Sequence, residues 1–429
     1  EKGVKVDANT VFQVASNSKT VTVWGVMRQV ESGKLALNTP VGKYLTRWKL
    51  PQTKYDNNGV TLRRLLSHTA GMSQSSYAGY PPGEKLPTLI ESLSGQAKGV
   101  KELHVIRKPG VKYKYSGGGY TLIQLMLEEV TGKPFSKYME EEVLTPLGMI
   151  NSSYEWRPEL RAKTSIAYGA LGQPLPNYLF TEKAAAGLYT TATDFARFVA
   201  ANLNTYGAFA GEDARMSIIS KRSLELAYTP GDKDYGFGYI IKKLPDNTRL
   251  IYHGGTNRGW RSQFALLPGK GDGLVVLTNS EYGANLHSDL LSVFTKWETG
   301  YWPKLYYTNL ILRILIKTVA LLLGLLLLLI IWRIIKEVRE GKRFFIFGAK
   351  APGVPVARLA VGILAPALLI SIWWIVFYTG LIYNGWAFAS FLPAGFNWLT
   401  VLAVCYGIFW FMQSLVMKKR QVGSIGREA

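Results

Sequence analysis

The sequence holds one cysteine, Cys405, in 429 residues. No intrachain disulfide can form, and no thiolate cluster can bind a metal. Histidine is scarce too, with four in the chain. None falls in an H-E-x-x-H or H-x-E pattern, which disfavours a zinc enzyme. Acidic residues are few, 29 against 50 Lys and Arg, and the formal charge is +21. That excess is divided, with +11 from Trp302 onward and +10 before it. A single nucleic-acid patch is therefore not expected. A moderately basic surface suits an anionic polymer or lipid head groups, or is simply a solvated basic face. The chain starts at Glu1 and shows no signal-peptide pattern. It has no internal repeat.

Long apolar runs, by contrast, crowd its last third. Residues 1–300 read as a mixed α/β globular domain and residues 301–429 as a membrane domain. Runs at 310–332, 359–382 and 396–417 each reach the ~20 residues that span a ~30 Å hydrocarbon core. Three transmembrane helices are expected. Between the first two runs lie Arg333, Lys336, Arg339, Lys342, Arg343, Lys350 and Arg358, and Lys418, Lys419, Arg420 and Arg427 follow the third. The loop between the second and third has neither Lys nor Arg. The positive-inside rule then puts the basic loop and the carboxyl end in the cytoplasm and the first domain outside. Trp297, Tyr301, Trp302, Tyr306 and Tyr307 precede the first run as an aromatic belt would. Arg313 and Lys317, four apart on one helix face, fit snorkelling to head groups, or contact with an anionic ligand. The runs carry no acidic residue or histidine, which argues against a proton-coupled transporter.

Three short patterns carry chemistry. Ser16-Asn17-Ser18-Lys19 is the one place where a lysine follows a serine by three positions. It follows an extended-looking stretch at 10–15 and opens an apolar segment at 20–31 closed by Gly33, a helix stop. A serine at a helix N-terminus places an oxyanion beside free N–H groups and the positive end of the dipole. A lysine one turn on shares its face and can act as a base if desolvation or nearby positive charge keeps it neutral. Ser16 as a plain N-cap is the other reading. The second pattern is Tyr113-Lys114-Tyr115-Ser116-Gly117-Gly118-Gly119-Tyr120. The glycines allow a tight backbone path, and Tyr115 suits a proton shuttle if lysines lower its pKa; a loop with surface tyrosines has the same pattern. The third is His253-Gly254-Gly255-Thr256, flanked by strand-like stretches at 250–252, 263–267 and 273–278. Glycine on a strand admits close approach, and His253 suits carboxylate binding or proton transfer, or a structural role at a strand end. His68 reads as part of a structural turn, and His104 and His287 have no supporting context.

Together these patterns resemble the serine β-lactamase and penicillin-binding-protein superfamily, in the branch of class C β-lactamases, esterases and D-aminopeptidases, for which S-x-x-K is a signature. The resemblance aligns Ser16 and Lys19, then Tyr115-Ser116-Gly117 with Y-x-N, then His253-Gly254-Gly255 with K-T-G or H-x-G, over about residues 10–280. It also covers LLSHTAGM, GKPFSKYMEEEVLTPLGM, AAAGLYTTATDFARF and YGFGY.

The resemblance implies an α/β (α+β) fold of β-lactamase and DD-peptidase type, with an antiparallel sheet and a helical region, ahead of the three membrane helices. It implies catalysis by Ser16, Lys19, Tyr115 and His253, with Thr256, Gly254, Gly255 and Gly117 at the substrate and oxyanion positions. No metal or cofactor is implied. The expected partners are a small peptide, amide or ester substrate and a lipid bilayer, and the expected place is a cell membrane with the catalytic domain outside.

Two departures stand out. Gly117 occupies the place where the family has asparagine. A helix and two strands precede the serine in the family, whereas fifteen residues do so here; either upstream residues belong to the gene product or the chain is truncated. The main expectation is a membrane-anchored serine hydrolase of peptidase, amidase or esterase type. The other is a non-hydrolytic protein that binds β-lactam or peptidoglycan, is acylated, and stalls. Three following membrane helices also resemble periplasmic peptidases that remove an N-acyl-D-asparagine cap from a prodrug.

Overall fold

A computed structural model describes residues 5–74, 76–169, 172–206, 218–345, 396–414 and 416–418, with isolated positions at 364, 367–368 and 370–371. The chain divides into two compact units, Glu1–Pro303 and Lys304–Ala429.

The first unit runs in order through β1 (Val11–Gln13), α1 (Asn17–Glu31), the short helices α2 (Leu62–Leu66) and α3 (Leu89–Leu93), and α4 (Gly117–Thr131). Then come α5 (Phe135–Met139), α6 (Pro158–Lys163), the hairpin strands β2 (Ala167–Tyr168) and β3 (Pro174–Leu175), α7 (Lys183–Ala186), β4 (Tyr189–Thr191) and α8 (Ala192–Tyr206). It ends with α9 (Lys221–Ala227), β5 (Ile240–Lys243), β6 (Arg249–Asn257), β7 (Trp260–Leu267), β8 (Asp272–Thr278) and α10 (Gly283–Thr299). The extended stretch before Ser16 is thus β1, and the three strand-like stretches near His253 are β6, β7 and β8.

Two antiparallel pairings frame the site. β5, β6, β7 and β8 form a sheet in that order, with Ile251 opposite Leu266 and His253 opposite Phe264. β1 pairs with β4, Phe12 facing Thr190. Every residue of β7 is buried, because both faces of the sheet are covered. On one face Phe264 packs edge-on against Phe195 and Phe198 of α8. On the other, Ala265 and Leu267 cluster with Leu291 of α10. A strand closed on both faces reads as a continuous apolar run rather than an alternation.

α1 crosses the core of this unit. Asn17 to Met27 are all buried, so the helix has no wet face and its polar groups need internal partners. They have them. The Trp24 indole donates to Tyr239 Oη at 3.0 Å, and Thr20 Oγ1 donates to the Gly238 carbonyl at 2.9 Å. The helix ends where Ser32 and Gly33 turn their N–H groups back to Arg28 and Val30, with Gly33 left-handed at φ 75°.

In the second unit α11 (Lys304–Arg339) contains the first apolar run. At ~1.5 Å per residue its 36 residues span about 54 Å, more than a hydrocarbon core. Among the described residues it is the one helix long and apolar enough to cross a membrane. The third run forms α12 (Phe396–Ser414), whose apolar stretch, Trp398–Gln413, is shorter. Tyr406 of α12 donates to the Leu323 carbonyl of α11 at 2.7 Å. The second run, 359–382, falls almost wholly outside the described residues.

Candidate active site

Ser16 sits at an abrupt bend. Ala15 just before it is left-handed at φ 49°, a conformation uncommon outside glycine and frequent at functional sites. Ser16 itself is the N-cap of α1 and makes no side-chain capping bond, so its hydroxyl is free for other partners. The N–H groups of Asn17, Ser18 and Lys19 turn back to the Val14, Ala15 and Ser16 carbonyls, whereas that of Ser16 is not among these backbone bonds. One donor at a helix N-terminus is thereby left for an incoming oxygen.

Lys19 lies one turn on, with its Nζ 3.1 Å from Ser16 Oγ. The same amine donates to the Ala185 carbonyl at the end of α7, at 2.6 Å. It is buried, and burial pushes its pKa down from 10.5 to about 7. Desolvation is the resolved cause. Tyr115 reaches the same oxygen from the other side, its hydroxyl donating to Ser16 Oγ at 2.8 Å. Its ring lies 5.0 Å from Lys19 Nζ. Lysine does not lower the phenol's pKa here, as proton shuttling by a tyrosinate would need. Burial outweighs the hydrogen bond to Ser16 and holds the phenol above its ordinary value. Tyr115 is therefore a donor, and the group positioned to accept a proton is Lys19.

Tyr115 is aimed by the start of α4. Ser116 caps that helix, accepting the Gly119 N–H at 3.0 Å and donating to the Gln74 carbonyl at 2.6 Å. Gly117 is the first residue of α4 and is buried. It brings no amide to the place where the family has asparagine.

β6 supplies the third wall. A Cβ on Gly255 would lie 2.1 Å from the Val14 carbonyl oxygen and 2.3 Å from Ser262 Oγ. Glycine at this position lets the strand approach the segment leading to Ser16. Asn17 Nδ2 donates to Ser262 Oγ at 2.8 Å, and Ser262 donates to the Val14 carbonyl at 2.7 Å, which clamps the bend to the sheet. Gly254 pairs with Gln263 and Thr256 with Arg261. Both are half-buried.

His253 points into the same cluster but is held by Tyr235. Its Nε2 lies 2.9 Å from Tyr235 Oη and its Nδ1 2.8 Å from the Gly254 carbonyl. A carbonyl only accepts, so Nδ1 carries the proton and Nε2 accepts from Tyr235. Burial and then the charge of Lys19 push its pKa down to about 3. The ring is thus neutral at physiological pH, which removes the charge that carboxylate binding would use. Among the described residues its hydrogen bonds do not reach Ser16, Lys19 or Tyr115.

The sequence reading missed three contributors. Ala185 acts through its backbone, and Tyr235 through a contact 18 positions from its partner, so neither has a local signature. His68, read as part of a structural turn, is buried with its ring 4.3 Å from that of Tyr115. No group of three or more metal-binding side chains occurs among the described residues.

This arrangement can activate a serine at a helix N-terminus and transfer its proton without a metal. The β-lactamase family profile matches residues 1–292, and the chain belongs to that family. It is 26% identical over 294 residues to the protein flp of Staphylococcus aureus strain N315, covering 66% of this chain and 56% of that one. The chain thus spans little more than half of that relative. Among solved structures, the octameric penicillin-binding protein homologue from Pyrococcus abyssi aligns with a TM-score of 0.53 at 25% identity, over 71% of this chain and 66% of that one. A class C β-lactamase aligns at 0.51 and 22% identity, over 64% and 78%, which speaks for the fold alone. The family includes serine hydrolases, and the fold is the β-lactamase and DD-peptidase α/β fold with antiparallel sheets and helices.

Proposed function

We propose that the chain is a membrane-anchored serine hydrolase acting on a small peptide, amide or ester by acyl transfer. The observation that carries this is the convergence of the Lys19 amine and the Tyr115 phenol on Ser16 Oγ, at 3.1 and 2.8 Å. Neutral Lys19 accepts the Ser16 proton as Oγ bonds to the substrate carbonyl carbon. The N–H groups of Ser16 and Thr256 receive the oxyanion; one such donor is worth about 3 kcal/mol in the transition state. The intermediate collapses, the leaving group departs with a proton passed through Tyr115, and water cleaves the acyl-enzyme by the reverse proton route. Gly254, Gly255 and Gly117 line the substrate's path, and His253 supports the cleft through Tyr235. Fluorophosphonate labelling tests the reading. The wild-type chain should label at Ser16 and Ser16→Ala should not; equal labelling of the two would remove Ser16 from the nucleophile's role.

Gly117 favours a second reading. Without the side-chain amide at this position, substrate amide and lysine lose a partner, and an acylated protein that releases product slowly would serve as a binder or sensor. Labelling by a β-lactam that persists for hours, with no turnover of ester or D-amino-acid peptide substrates, would select it.

The apolar helix α11 and the cationic loops support anchoring in a cell membrane. Three spans, an extracytoplasmic catalytic unit and a cytoplasmic carboxyl end are the topology these charges favour. Cysteine accessibility at introduced sites on either side of α11 would test it.

A further inference from the structure

We infer that His68 is a positioning residue for Tyr115, bracketing the phenol's backbone through a neutral imidazole whose tautomer is set by a peptide N–H. This rests on the hydrolase reading above. His68 holds the chain on both sides of Tyr115. Its carbonyl accepts the Lys114 N–H at 2.8 Å, and its Nδ1 accepts the Ser116 N–H at 3.1 Å. Its ring lies against the Tyr115 ring at 4.3 Å, with Tyr235 and Tyr120 at 4.9 and 5.3 Å. One residue thus touches the residue before, the residue after and the ring itself.

The chemistry of these contacts leaves one protonation state. A peptide N–H only donates, so Nδ1 must be bare and the proton must sit on Nε2. Nε2 has no hydrogen-bond partner and is enclosed by tyrosine rings. A second proton would break the bond to Ser116. Burial, and then the charges of Lys19 and Lys114, keep the ring neutral. The backbone contributes as well, since His68 is left-handed at φ 56°, a conformation asparagine and glycine adopt readily and other residues resist. The turn noted in the sequence is therefore the device that puts one residue's carbonyl and ring nitrogen on two peptides of the Tyr115 loop.

The side-chain part separates cleanly by substitution. His68→Gly keeps the backbone and removes both ring and acceptor. His68→Asn keeps the backbone and offers Oδ1 to the Ser116 N–H. The rate of fluorophosphonate labelling of the full, detergent-solubilised chain is read for these variants, for Tyr115→Phe and for the double variant, with thermal melting alongside. H68G should label about tenfold or more slowly, because small misplacements of a catalytic group are costly. H68N should recover to within about threefold of wild type. The double variant should be no slower than Tyr115→Phe, since His68 acts through that phenol. Wild-type labelling by H68G, equal impairment of H68N and H68G, or losses that multiply in the double variant would each overturn the assignment. Should H68G fail to fold, H68N carries the test in the same cycle: labelling about tenfold or more below wild type would overturn the assignment. A wild-type chain that does not label, or a Ser16→Ala variant that does, defeats the hydrolase reading first, and this assignment with it.

Discussion

α1 and α11 are both helices with apolar faces, and their surroundings differ completely. α1 is enclosed over its first three turns and carries Asn17, Ser18, Lys19, Thr20 and Thr22 into the interior. α11 leaves Leu321, Leu325 and Leu328 at 64%, 49% and 63% exposure. The first helix needs specific polar partners, because a buried donor or acceptor without one costs several kcal/mol. The second needs none along its length, because its backbone is satisfied internally and its surface suits hydrocarbon. Apolar content already separates the two, since α1 interleaves its valines with polar residues and α11 carries an almost unbroken apolar run. They differ too in whether polar residues inside the helix have somewhere to bond.

The comparison breaks most visibly at α1. Ser16→Ala should abolish covalent labelling, a loss of up to ~10⁶ in rate where a nucleophile is removed, while melting stays near wild type. Lys19→Met should slow labelling by about 10²–10⁴, the range for a general base. In the wild type, labelling should fall about tenfold per pH unit well below 7, as the Lys19 amine, held at about 7, becomes protonated and can no longer accept. A flat profile from pH 5 to 8 would exclude Lys19 as the base.

The same shift affects stability with a definite sign. The folded pKa of Lys19 lies below its unfolded value of 10.5, so between about 7 and 10.5 the unfolded chain binds the extra proton and stability rises with pH. Below 7 the cost is fully present. Lys19→Met removes it, so the variant's melting advantage over wild type should be largest near neutral pH and shrink toward pH 10. The change is roughly 1.4 kcal/mol for each pH decade in that window. Parallel melting curves for the two proteins would show that burial does not strain this amine.

A smaller effect is expected at Gly255→Ala, whose methyl meets the Val14 carbonyl oxygen and Ser262 Oγ. Overpacking against backbone costs about 1–3 kcal/mol, read in the melting midpoint, and should slow labelling by displacing Ser16. On α11, Leu325→Arg should cost about 2.5–3.5 kcal/mol of membrane insertion. Flotation with vesicles would report it, with Ser16 labelling unchanged. If the variant floats like wild type, α11 is not the anchor.

Parts of the site were legible in the amino-acid order itself. Ser16 and Lys19 share a helix, so their spacing placed them on one face. The strands beside His253 were legible because each is a short apolar run bounded by glycine or a turn. Tyr115 was reached by family resemblance, since its meeting with Ser16 spans 99 positions and no local periodicity encodes that. The packing of the His68 ring is illegible for the same reason. The left-handed turn is present, but its use depends on which tyrosines fold against it. The direction of the Tyr115 pKa was illegible too, because burial sets it and burial is a property of the fold.

Sequence alone therefore determined what is local: a serine and lysine one turn apart, glycines where a strand must come close, and apolar runs of membrane length. Tertiary structure decided what depends on enclosure. It lowered the Lys19 pKa by withholding water, kept His253 and His68 neutral, and turned the Ala185 carbonyl into a partner. The physical reason is that solvation and hydrogen-bond geometry are properties of the packed interior, set by residues far apart in the chain.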